Sequence, residues 1–207
     1  MTEPIRFPRT RRAAFTLIEM ISVIAIMLTV AALTIPGISS ALNGVKITGA
    51  TQTVADEIQI ARATALARNA PVEVWFIKDA ATFRAVRSSL LNADNTTTWI
   101  SRTRRLPDGV AIASAEKYSN IIGAQNLATP PDSPSGTQGV RLRVYPSGKL
   151  ELVDVRTAAQ PIGPNQPLFV TVVPSAGFDP NSSTDLPRNF ATLQINPINA
   201  RLTTHRP

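Results

Sequence analysis

The chain has no cysteine and a single histidine, His205, among its 207 residues. Without thiols there are no disulfide staples and no thiolate metal sites. One histidine cannot supply a clustered metal centre, and the scattered Asp and Glu read as a solvated surface rather than as ligands. His205 sits close to the C-terminus, where chains are poorly tied down, so a Ser-His-Asp site is not expected. Glycine-rich phosphate loops are missing as well: Gly109, Gly123, Gly136, Gly139 and Gly148 stand isolated, as turn residues do. These absences predict a protein that is not an enzyme and that needs no cofactor or metal. Charge is scarce in one place above all. Between Phe15 and Ile35 the only ionisable side chain is Glu19.

What is present is the composition of a folded protein, 43% hydrophobic and 17% charged with a mean hydropathy of +0.04. The length suits one ordinary domain plus an anchor. The formal charge of +7 owes much to residues 1–14, which hold Arg6, Arg9, Arg11, Arg12 and Glu3. Beyond them, 17 basic and 13 acidic residues leave +4. So mild a balance does not by itself argue for nucleic acid.

The apolar run from Phe15 to Ile35 is 21 residues long, enough to span about 30 Å of hydrocarbon as a helix. An ordinary signal peptide would explain the basic start and apolar core, with a cut near Ser39-Ser40-Ala41. An uncut anchor would explain them too, its arginines holding the N-terminus in the cytoplasm. Both readings export the chain beyond about residue 40. Both leave Glu19 unexplained, because a carboxylate deep in a membrane segment costs about 2.5–3.5 kcal/mol on insertion scales. A cut before Phe15 would create an α-amino cation for a neighbouring copy's Glu19 to pair with.

The string Phe15-Thr16-Leu17-Ile18-Glu19, behind a short basic leader and a small residue, resembles the type IV prepilin leader of type IV pilins and type II secretion pseudopilins. The family mostly has Gly before the cut, where this chain has Ala14. The resemblance implies cleavage between Ala14 and Phe15 by a prepilin peptidase, N-methylation of Phe15, and a role for Glu19 in subunit assembly. It also implies a stored state in inner-membrane lipid, single-pass, with the head in the periplasm of a bacterium. Later the subunit would join a filament of other pseudopilin or pilin subunits. Pro36 falls where such proteins kink the helix, since proline lacks an N–H and clashes with the preceding turn; Gly37 beside it eases unwinding.

Beyond Pro36 the apolar positions Ile38, Leu42, Val45, Val54, Ile58, Ala61 and Ala65 recur at helical steps. A break near Gly44 to Gly49 would be re-capped by Thr51 or Thr53. Pro71 should end the helix at Asn69-Ala70. From Val72 the period becomes two. Strands are expected over 72–77, 82–87, 98–102, 110–113, 140–145 with its arginines on the wet face, 150–155, 168–173 and 190–195, then into 201–203. Thirteen of the 17 prolines lie beyond Leu106, and 125–138, 156–167 and 174–189 read as long loops. The organisation expected is a leader (1–14), a transmembrane and assembly helix (15–36), an amphipathic helix (37–70) and a β-rich head (71–207). The fold class is α+β.

The run from Ala61 to Val72, with its Ala-Arg and Arg-Asn pairs before a valine-rich strand, is similar to the helix-to-strand junction of H-type minor pseudopilins and FimT-like minor pilins. The Tyr145-Pro146-Ser147-Gly148 hairpin fits the same plan, which the Verru_Chthon cassette protein D family shares. That resemblance implies a head of two packed antiparallel sheets. It also brings an alternative, DNA capture by a basic tail, for which Arg201, His205 and Arg206 are the candidate contacts. Arg102, Arg104 and Arg105 form a second basic cluster. Phosphate contacts by such residues would be sequence-independent and salt-sensitive.

Overall fold

The computed structural model describes residues 15–156 and 166–207, and within 34–41 the backbone alone. The chain divides into two compact units, residues 1–41 and 42–207. Helix α1, Leu17–Arg68, contributes to both.

In the first unit every described side chain from Phe15 to Leu33 is exposed, Phe15, Leu17 and Leu33 by three quarters or more. The described apolar stretch of α1 from Leu17 covers about 25 Å at 1.5 Å per residue. Among the described residues no helix is long and apolar enough to cross a membrane. The leader, with Ala14, lies outside the described residues, and so does the side chain of Pro36.

In the second unit α1 buries one stripe: Ile47, Ala50, Val54, Ile58, Ala61 and Ala65 are all within 1% of full burial. The steps of three and four residues keep them on one face. Half of them are alanines, which lets the sheet lie close. The helix stops in a Schellman motif. Asn69 adopts φ 47°, its N–H reaches the Leu66 carbonyl, and the Ala70 N–H reaches that of Ala65. Asparagine tolerates this left-handed geometry, and Pro71 cannot continue the helix.

The strands are β1 (Val72–Asp79), β2 (Thr82–Leu91), β3 (Thr97–Trp99), β4 (Arg104–Arg105), β5 (Val110–Ile112), β6 (Gln138–Val144), β7 (Leu150–Leu152), β8 (Leu168–Pro174), β9 (Ala191–Ile195) and β10 (Leu202–His205). A short helix α2, Asn120–Gly123, lies between β5 and β6. All strand pairs are antiparallel, and the order is β10-β9-β8-β5-β2-β1-β6-β7, with β3 and β4 paired to β2. Val72, Val74 and Phe76 of β1 join the core with the helix stripe, as do Leu142 and Val144 of β6 and Val170 and Val172 of β8. The sheet's two ends meet. The Leu150 N–H at the start of β7 donates to the Pro197 carbonyl, 2.7 Å away, in the turn between β9 and β10.

Several expectations are corrected. The described strands form one continuous sheet, not two packed ones, because short β5 bridges β2 and β8; its junction with β2 is the single pair Phe83↔Ile112. No break occurs between Gly44 and Gly49, for the hydroxyls of Thr48, Thr51 and Thr53 bond the carbonyls four residues back inside an unbroken helix. The buried stripe starts at Ile47, leaving Leu42 and Val45 exposed. The strand expected over 150–155 stops at Leu152, and that over 98–102 at Trp99. Of the loop expected over 156–167, residues 157–165 lie outside the described residues.

Candidate functional site

The N-terminal segment is organised by its own sequence. Thr16 precedes the first residue of α1, and Glu19 follows three positions later, the spacing of a capping box. Both halves of the box are made. The Thr16 Oγ1 accepts from the Glu19 N–H at 3.3 Å, and the Thr16 N–H donates to Glu19 Oε2 at 3.2 Å. The Thr16 hydroxyl proton also points to Oε2, at 3.1 Å. Every hydrogen bond of the carboxylate thus falls on one oxygen; Oε1 has no partner among the described residues. Being acidic, Glu19 also suits the positive end of the helix dipole.

The basic tail is divided. Along β10, Leu202 and Thr204 stand opposite the buried Ile195 and Leu193, whereas Thr203 and His205 stand opposite Gln194 and Thr192. Alternation therefore puts His205 on the other face from the core, where its Nε2 lies 2.9 Å from Gln194 Oε1. Arg206 returns to the helix side and donates to Thr48 Oγ1 at 2.8 Å. Arg201 is exposed in the preceding turn. The three candidate contacts do not converge on one patch. In the second basic cluster, Arg105 pairs with Asp79 at 3.1 Å and Arg104 stands 3.9 Å from both Asp56 and Glu57, while Arg102 is exposed.

Two carboxylates, Glu57 and Glu73, are fully buried. Glu73, fully buried on β1, faces Arg143 directly across the strand pair. Arg143 donates to its Oε1 through Nη2 at 2.7 Å and Nε at 3.2 Å, and Arg141 reaches Oε2 at 3.4 Å. Arg141 also pairs with Asp154. Burial works against the Arg143 charge, but hydrogen bonds to Glu73 and Tyr145 outweigh it and raise the pKa above the ordinary arginine value. The face expected to be wet is therefore covered. Trp75 opposes Arg141 on it, with the guanidinium 5.3 Å from the ring centroid. Trp99 meets Trp75 edge-on at 6.4 Å and carries Arg87 over its own ring at 4.0 Å. The signal available in sequence was Glu73 inside an apolar strand together with the paired arginines of Val140–Val144.

Glu57, the second of these, is fully buried on α1 and accepts from the Ser101 hydroxyl through Oε1. Its Oε2 has no hydrogen-bond partner among the described residues. These side chains tie strand to strand and helix to sheet. Among the described residues no group of three His, Cys, Asp or Glu could hold a metal ion. A concavity of about 700 Å³ between the last turns of α1 and β3 is walled by Ala63, Ala67, Leu90, Trp99 and Ile100 and presents no carboxylate, histidine or lysine.

No family model matches the chain, and no curated protein matches it. It is similar to two solved structures of the minor pseudopilin EpsH from the type II secretion system of Vibrio cholerae. One aligns with a TM-score of 0.45 and 13% identity, covering 78% of this chain and 98% of that one. The other aligns with a TM-score of 0.44 and 11% identity, covering 78% and 97%.

Proposed function

We propose that this chain is a pilin-like structural subunit, cut between Ala14 and Phe15 by a prepilin peptidase and assembled with other subunits into a pseudopilus or pilus-like filament. The observation that carries the reading is Glu19, the one charge in the apolar run from Phe15 to Ile35. The described side chains around it, Phe15 to Leu33, are exposed. A surface so apolar needs lipid or other copies of the same kind of helix around it. The subunit waits in the inner membrane with residues 15–36 in lipid and the head in the periplasm. On assembly, apolar helices exchange lipid for one another, and Glu19 meets the α-ammonium of a neighbour's Phe15, because a buried carboxylate without a partner is costly. N-methylation leaves that positive charge in place.

Mass spectrometry of the mature N-terminus, from a host with its own prepilin peptidase, tests the reading. A species beginning at Phe15 with a methylated amine is expected. A start near Leu42 would make the chain an ordinary secreted domain and remove the filament reading with its anchor.

A further inference from the structure

We propose that Asp108-Gly109, in the turn between β4 and β5, is a site of spontaneous covalent modification: the main chain relinks there through the Asp108 side chain and loosens the joint of the sheet. The Val110 N–H donates to the Pro107 carbonyl at 3.2 Å, so residues 107–110 form a β-turn with Gly109, φ 84°, at its third position. Glycine suits that place, where a side chain would be strained. Three features prepare the pair for ring closure. The Asp108 side chain is fully exposed. The Gly109 N–H has no acceptor among the described residues. Its surroundings are open: apart from the chain neighbours, a Cβ on Gly109 would meet nothing nearer than Lys46 Nζ, at 4.0 Å. The restraint on the carboxylate is one ion pair, Arg84 Nη2 to Oδ1 at 2.8 Å, and a pair so exposed is weak. Asn43-Gly44, the comparable pair, lies inside α1, where the Gly44 N–H belongs to the helix ladder.

The Gly109 nitrogen attacks the Asp108 Cγ. A bond forms between them, the nitrogen gives up its proton, the protonated carboxyl loses its hydroxyl, and one water leaves. The product is a succinimide ring, which water then opens. Addition at Cγ restores aspartate. Addition at the Asp108 main-chain carbonyl breaks that carbon's bond to nitrogen and leaves the backbone running through Cβ and Cγ. This second product has the parent's mass and one more main-chain atom. The added atom falls at the narrowest join of the fold, for β5 meets β2 through the single pair Phe83↔Ile112 and meets β8 through Val110, Ala111 and Ile112. Arg84 grips the turn at two points, Asp108 and, through Nε, the Val110 carbonyl at 3.3 Å. Relinking lengthens the chain between those points and moves the carboxylate, so β5 is held less firmly between the two parts of the sheet.

The test ages the purified full-length chain in mild detergent and warm neutral buffer, then digests it with trypsin. Cleavage after Arg105 and Lys117 releases residues 106–117, in which Asp108 is the only Asp or Asn. A second form of this peptide is expected to accumulate, equal in mass, shifted in retention and identified by fragmentation at the relinked bond. Asp108→Glu keeps the charge and should yield none, since its side chain would have to close a larger ring. Arg84→Gln should speed accumulation about 1.4- to 5-fold, the range that release of an exposed ion pair allows. The aged parent should unfold at a lower urea concentration than the fresh chain, followed by tryptophan fluorescence, while aged Asp108→Glu should not shift. If the peptide stays single in the folded chain while a urea-unfolded sample converts, the fold protects the pair and the modification site is overturned. Conversion with an unchanged unfolding midpoint overturns its effect on the joint. An unchanged rate in Arg84→Gln overturns the role of Arg84 as the restraint.

Discussion

Replacing Glu73 by alanine removes the carboxylate that both Arg141 and Arg143 face. Glu73 is fully buried, and the Arg143 Nη2 contact at 2.7 Å is within charge-assisted hydrogen-bonding distance. Removing one partner of a buried ion pair generally costs about 3–5 kcal/mol, since the other charge stays behind unpaired. Two features pull the value to the lower end. Both arginine side chains are 24% exposed and can recover some hydration, and Arg141 keeps Asp154. The expected loss is about 3 kcal/mol, chiefly from stranding Arg143. With a urea dependence of about 2 kcal/mol per molar, the unfolding midpoint should fall by about 1.5 M. The assay is urea unfolding of residues 42–207, the unit that holds the entire buried cluster, followed by fluorescence of Trp75 and Trp99. Glu73→Gln keeps the volume and isolates the charge from the cavity. In a double-mutant cycle with Arg143→Ala the pair should show a coupling of at least about 1 kcal/mol. A Glu73→Ala midpoint within about 0.5 M of the parent would refute the reasoning.

Ile58→Ala should cost about 2–5 kcal/mol, because Ile58 is wholly buried in the helix stripe and its cavity would face packed sheet, whereas Leu66→Ala, at a 70% exposed position, should stay within about 0.5 kcal/mol. Equal effects of the two in urea unfolding would contradict the placement of the stripe. Gly123→Ala should destabilise by about 1–3 kcal/mol, since a Cβ there would lie 2.3 Å from the Glu116 Cα and 2.5 Å from its backbone nitrogen. A thermal melt unchanged from the parent would mean that Glu116 is not held so close. Duplex DNA should not be retained by the chain at physiological salt, because Arg201, His205 and Arg206 do not share a face; salt-sensitive binding lost on Arg201→Ala and Arg206→Ala would revive the nucleic-acid reading.

Much of this chain is local chemistry, and local chemistry is legible in sequence. Pro71 after Asn69 foretold where α1 stops, since one residue cannot continue a helix and the other tolerates the left-handed turn that closes it. The strands that begin at Val72 and Thr82 followed from the change to a period of two after Pro71. The apolar stretch with its single carboxylate was read from charge alone, and on it the functional reading rests. What sequence could not supply are meetings between distant residues. Val140 to Val144 alternates like a half-wet strand, but Glu73, some seventy positions earlier, lies across from Arg143 and the face is covered. Thr51 and Thr53 look like helix caps, yet tertiary packing on Ile47 and Ala50 keeps α1 unbroken through them. Strand count does not reveal that β5 touches both β2 and β8, nor that Leu150 meets Pro197. Sequence by itself therefore determined the end of α1, most of the strands and the charged helix start, each fixed by residues within a turn or two. The tertiary structure alone decided which charges are buried, how the one sheet joins, and how the basic tail divides, because these depend on which strands pair through space and on the side each residue then faces.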